Sequence, residues 1–130
     1  MADAKLAAYQ TVHTITADPP RLVLMLLDGA MRFLGQARRA LDQNDVGRFS
    51  QAVCRAHAII AELSDVLDRD GGGEVAENLS RLYDFMLRHL TQGLVARDPK
   101  HLDDVLAPLA TLREGFEDAV GSTVAGIPRA

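Results

Sequence analysis

Four stretches of the chain carry apolar side chains at spacings of three and four residues, the period of a helix face. The most regular reads Phe49, Val53, Ala56, Ile60, Leu63, Leu67. A second runs Val23, Leu27, Ala30, Leu34, Ala37, Leu41, and a third Val75, Leu79, Leu82, Met86, Leu90, Leu94. The last is Leu102, Val105, Leu109, Leu112, Phe116, Ala119. No stretch alternates with period two, so no sheet is expected.

The punctuation between these seams agrees with them. Asp18-Pro19-Pro20 and Asp98-Pro99 each place a capping carboxylate before prolines, whose missing N–H is no loss in a first turn. Asn44-Asp45 and Gly71-Gly72-Gly73 supply the other two turns. Helices are predicted over 19–42, 46–69, 74–96 and 99–119. Connections this short force sequential helices to run antiparallel. The expected architecture is all-α, an antiparallel up-down-up-down four-helix bundle forming a single domain over 1–120.

Segments at the two ends fall outside the seams. Residues 1–17 form an N-terminal arm whose scattered apolar side chains (Leu6, Ala7, Tyr9, Val12, Ile15) suit either a docked helical turn or two, or a mobile strap. Residues 121–130, with two glycines and a proline, read as a disordered tail. Pro108 interrupts the last seam without changing its phase, which predicts a kink rather than a break.

Composition narrows the function. With 130 residues, 48% hydrophobic and 25% charged, the chain suits one soluble domain. A formal charge of −4 gives no electrostatic reason to bind nucleic acid or an anionic membrane. The most apolar run, 22–34, is broken by Asp28 and Arg32 and is too short for membrane insertion. The lone Cys54 cannot form an internal disulfide, and no signal peptide opens the sequence, so a cytoplasmic protein is expected. Cys54 reads as a small helix-packing side chain.

Candidate chemistry is thin. The histidines at 13, 57, 89 and 101 show no metal-ligand spacing, and the glycine triplet lacks the strand and Lys-Ser/Thr of a phosphate loop. No metal, cofactor or enzymatic activity is expected. His57 raises a phosphotransfer reading, since such modules carry a histidine on a bundle helix. They usually follow it with Lys at the third and Gly at the fourth residue, where this chain has Ile60 and Ala61.

The first helix, in contrast, has more apolar surface than a bundle requires. Ten of the thirteen residues in 22–34 are apolar, whereas a bundle helix needs three or four per two turns. With Leu22, Val23, Leu26, Leu27, Ala30, Phe33 and Leu34 facing inward, Leu24, Met25 and Met31 project elsewhere, toward the side of Asp28, Arg32 and Arg38. Phe85 leaves the third seam in the same way. Such stripes suit a groove for an amphipathic helix, intramolecular cover by the N-terminal arm, or a homodimer. Gly29 is read as a helix-packing position.

The segments AYQ (8–10), ITADPPRLVLMLLDGAMRFL (15–34), AHAIIAEL (56–63), LYDFM (82–86) and LREGFEDA (112–119), taken in order, resemble the FliS family of flagellin-specific export chaperones. The likeness runs over about 8–119. It implies a helical bundle that binds the disordered C-terminal segment of flagellin in the cytoplasm, prevents premature polymerisation and presents the subunit to the flagellar export gate. It also implies that an N-terminal Tyr-Gln segment, here Tyr9-Gln10, occupies part of that surface in the free chaperone. Leu27 stands where members commonly have Tyr, Phe116 where Trp is frequent, and Pro108 in a helix that is usually continuous. The candidate partner-binding set is Leu6, Tyr9, Gln10, Ile15, Leu24, Met25, Met31 and Phe85. The rival is a self-associating helical adaptor whose surplus apolar surface closes a homodimer.

Overall fold

In a computed structural model, which describes residues 2–9 and 18–126, all secondary structure is helical. A short α1 (Ala2–Ala7) precedes four long helices: α2 (Pro19–Asp42), α3 (Val46–Asp65), α4 (Gly73–Ala96) and α5 (Pro99–Gly126). Each long helix packs on its neighbours in the chain, and α5 returns to α2, which closes the up-down bundle. α1 lies against α5 and α4.

The polar residues start the helices as expected. Asp18 accepts the Arg21 N–H through its side chain, with Pro19 and Pro20 in the first turn. Asp45 caps α3 by accepting the Arg48 N–H at 3.1 Å, and Asp98 accepts the Lys100 N–H at 3.0 Å. In the three-residue turn between α2 and α3, Asn44 takes the left-handed conformation that the reversal requires. Arg97 does the same after α4.

Val23, Leu27, Ala30, Leu34, Phe49, Val53, Ile60, Leu63, Met86, Leu90, Leu102, Val105, Leu109 and Phe116 are all within 1% of complete burial. Leu22, Leu26 and Phe33, expected inside with them, are only half-buried. Gly29 is buried, and a Cβ there would come within 3.2 Å of Ile59 Cδ1, so α2 and α3 meet closely at this position.

In four places the structure departs from the expected pattern. On α4 the residue facing the core is Tyr83, fully buried, while Leu82 turns to the flank. The buried row is Ala76, Leu79, Tyr83, Met86, Leu90 and Gly93, so Val75, Leu82 and Leu94 of the expected seam each stand one residue off the core face. α3 ends at Asp65 rather than at 69: the Asp68 N–H, which would continue the helix, donates instead to the Ala8 carbonyl at 2.8 Å. α5 continues to Gly126, six residues into the stretch expected to be disordered. Gly121 costs only about 1 kcal/mol in a helix, and the first strong stop in the sequence is Pro128. Finally, Cys54 is exposed, not packed, because Val53 holds the seam and the next residue is turned about 100° away.

Candidate functional site

α1 and the two residues after it close one end of the bundle. Leu6 is buried, and Ala8 and Tyr9 are completely so. The segment is fixed by the Ala8 carbonyl, which accepts from Asp68, and by Tyr9, whose ring meets Phe116 edge-on at a 5.6 Å centroid separation. The Tyr9 hydroxyl hydrogen-bonds that of Tyr83 and lies 3.5 Å from the Leu63 carbonyl. Removal from water dominates the ionisation of both phenols. It pushes Tyr83 up to about 12 and raises Tyr9 well above the ordinary tyrosine range, with the neighbouring Tyr83 adding to the effect.

The glycine turn between α3 and α4 is shaped for this docking. Gly72 has an ordinary φ of −90°, but a Cβ on it would come within 2.9 Å of Ala8 Cα and 2.6 Å of the Asp68 carbonyl oxygen. Only glycine lets the arm approach that closely. Gly73 is the position with a positive φ, +59°.

Beside α1, the flanks of α4 and α5 line an apolar groove of about 730 Å³. Leu79 and Leu112 form its floor, Val75, Leu82 and Pro108 its walls, and Ala4 with Lys5 closes the end nearest α1. Pro108 thus has a place that the expected kink did not anticipate: α5 runs through it unbroken, and its ring lines the groove. Along α4 the spacing Val75, Asn78, Leu82, Phe85, His89 continues the same flank. Phe85 stacks on His89 at a 4.1 Å centroid separation. His89 in turn sits 3.5 Å from Asp104 and 5.8 Å, ring to ring, from His101 on α5.

The structure separates the candidate residues into groups. Leu6 and Tyr9 belong to the buried cover, and Phe85 to the α4 flank beyond the groove. Leu24 and Met31 lie half-buried on another flank of α2, in phase with Asp28 and Arg38. Those two polar residues pair with Arg113 and Asp103, so this flank faces α5 from its other side. Met25 is 70% exposed and points to solvent. Gln10 and Ile15 lie outside the described residues. Sequence reasoning placed Val75, Leu79, Leu82 and Leu112 in the core and so did not see the groove; the one available signal was Pro108, whose phase lies off the α5 seam.

His57 is half-buried over a shallow depression lined by Leu87, Arg88, Thr91 and Gln92, and Ile60 is completely buried. No three His, Cys, Asp or Glu side chains among the described residues converge as metal ligands. No helix among the described residues is long and apolar enough to cross a membrane.

Comparison with known proteins matches residues 1–123 to the family model described as Flagellar protein FliS. A flagellar secretion chaperone FliS of Salmonella typhimurium is 38% identical over 79% of this chain and 77% of its own. FliSB of Pseudomonas aeruginosa is 35% identical over 78% of this chain and 80% of its own. For FliS of Vibrio cholerae the figures are 34%, 86% and 85%. These relatives are named as secretion chaperones, not as enzymes. A fully helical bundle, with a docked N-terminal segment beside an apolar groove and a family match over nearly its whole length, places this chain in the FliS family of flagellar secretion chaperones.

Proposed function

We propose that this protein holds the disordered C-terminal segment of flagellin in the cytoplasm, keeps it from polymerising and hands it to components of the flagellar export gate. The observation that carries this reading is the apolar α4–α5 groove, bounded at one end by α1. A segment that folds on binding gives up several kcal/mol to ordering and needs apolar anchors to recover it. Val75, Leu82 and Pro108 offer such anchorage. An amphipathic helix of the partner laid between α4 and α5 would bury them at about 25 cal/mol per Å² of apolar surface.

In this reading α1 and Tyr9 act as an intramolecular cover. They bury apolar surface at the groove's end in the free protein, and the partner extends the site by displacing them. The α2 flank with Leu24 and Met31 is the second contact, on the opposite side of α5, reached by a partner that wraps the bundle. The exposed Met25 favours a second reading, in which two copies meet through α2 as a homodimer.

The test is a substitution series read by co-elution with a purified flagellin C-terminal segment. Leu82→Glu should abolish co-elution while the variant keeps its helical circular dichroism, and Met25→Glu should leave it intact. Loss with Met25→Glu and retention with Leu82→Glu would move the site to α2.

A further inference from the structure

Across the bundle from the groove, the seam between α2 and α3 carries a different pattern. Arg32, Gln36 and Arg39 on α2 and Gln43 at its C-terminal cap follow one another at spacings of four, three and four, and Arg48, Gln51 and Arg55 at three and four on α3. Both rows therefore run along one seam. Near its end the helices leave a polar cavity of about 330 Å³, lined by Gln36, Arg39, Gln43, Arg48, Gln51 and Arg55. Its floor is formed by Ala40 and Ala52, both 4% exposed, and their small side chains are the reason the space is open.

The charge here runs against that of the protein. The whole chain is formally −4, yet the cavity lining has three guanidinium groups and no carboxylate. Asp45 is the nearby acid, 3.8 Å from Arg48, and it is already engaged as the cap of α3. Arg39 and Arg55 make no ion pair among the described residues. The Arg55 guanidinium instead lies over the Phe33 ring at 5.6 Å, with Arg32 on the same ring at 5.7 Å. An aromatic face leaves the guanidinium edge free to bond a carboxylate, and primary amides beside it can donate to the same oxygens.

We propose that this cavity is a binding site for an acidic peptide segment of a partner protein, distinct from the apolar groove. Its dimensions favour a peptide over a single small anion. Arg48 and Arg55 are separated by two turns of α3, about 10 Å along its axis, which is farther than the oxygens of one phosphate can reach. In a polyproline II chain, with three residues per turn and a rise of about 3.1 Å, two carboxylates three residues apart share a face and span about 9 Å. The two Arg-Gln rows would take one carboxylate near Arg39 and Arg48 and the next at Arg55. Because this seam and the groove lie on opposite sides of the bundle, both can be filled at once.

The experiment titrates full-length ¹⁵N-labelled protein with an unlabelled peptide carrying two glutamates three residues apart, at low salt, and follows the arginine Nε–H and glutamine side-chain signals. Parallel titrations use the glutamine version of the peptide and inorganic phosphate. The expected result is saturable shifts at Arg39, Arg48, Arg55, Gln36, Gln43 and Gln51 with the glutamate peptide alone, weakened about tenfold by Arg39→Gln with Arg55→Gln. Arg48→Gln should act in the same direction without disturbing the Phe33 contact, and Arg81→Gln on α4 should leave the affinity unchanged. The proposal is overturned by equal shifts with the glutamine peptide, by phosphate binding more tightly than the glutamate peptide, or by undiminished affinity in the arginine variants.

Discussion

Tyr9 and Tyr83 are 74 residues apart in sequence and share a hydrogen bond between their hydroxyls inside the bundle. Tyr9 belongs to the N-terminal cover and Tyr83 to the core of α4, so this bond is the polar tie between the two. The two hydroxyls are not equally provided for. If Tyr9 becomes Phe, the Tyr83 hydroxyl loses its partner, whereas in Tyr83→Phe the Tyr9 hydroxyl still has the Leu63 carbonyl within 3.5 Å. A buried donor left unsatisfied costs about 1–3 kcal/mol. Tyr9→Phe should therefore lower stability in urea by about that amount, and Tyr83→Phe by less. The double variant should recover part of the loss. Equal costs for the two single variants would show that the Leu63 contact contributes nothing.

The same pair sets the alkaline limit of the fold. Both phenols ionise at higher pH in the folded protein than when unfolded, so their contribution is fully present below about pH 10 and is lost as pH rises toward the folded values. Above pH 10 the unfolded chain has released protons that the native one retains. Stability should then fall by about 1.4 kcal/mol per pH unit for each tyrosine. With two tyrosines and no tryptophan in the chain, phenolate absorbance near 295 nm reports on this pair alone. It should rise together with the loss of helical circular dichroism. Titration of either tyrosine near pH 10 in a fully helical protein would mean that the cover opens to solvent.

Gly72 makes a sharper test of the arm's position than any substitution in the arm itself. Alanine there would collide with Ala8 Cα, the Asp68 carbonyl oxygen and, at 2.5 Å, Ala76 Cβ. At Gly73 nothing lies within 4 Å of an added Cβ, and only the positive φ resists alanine. Gly72→Ala should cost about 1–3 kcal/mol and release the arm to proteolysis. Gly73→Ala should cost about 1–2 kcal/mol and leave the arm protected. Both effects are read by urea denaturation combined with limited digestion.

Pro108 couples the stability of α5 to the shape of the groove. It has no N–H to offer the Asp104 carbonyl, and its ring forms part of the groove wall. Pro108→Ala should raise the melting temperature, since proline costs about 3 kcal/mol in a helix interior relative to alanine. The same change should weaken flagellin binding by removing apolar wall. A variant more stable yet equal in affinity would place the partner away from this wall.

How much of this could be read in the sequence follows from what period and phase encode. The 3-4 seams and the Asp-Pro starts locate the four long helices, because both are local signals. Tyr83 was displaced by Leu82 in that reading, since one residue of phase separates core from flank and both side chains are large. The early end of α3 depends on a bond from Asp68 to Ala8, 60 positions away, which no local pattern contains. The groove was hidden for a related reason. Val75 and Leu82 satisfy a core seam, but Ala76 and Tyr83 beside them take the core positions and leave these two half-buried on the groove wall. The surplus of apolar residues on α2 was legible as a count, but burial divides it: Leu24 and Met31 pack on the bundle, and Met25 alone stands free.

The central claim, that an apolar surface partly covered by the N-terminal segment receives disordered flagellin, is tested most directly by isothermal titration. The full-length protein is titrated with a purified flagellin C-terminal segment at several temperatures, and the titration is repeated after removal of residues 1–15. The account predicts one-to-one binding with a clearly negative heat-capacity change, and tighter binding once the cover is gone. Absence of heat at every temperature, with no co-migration on a sizing column, would contradict it.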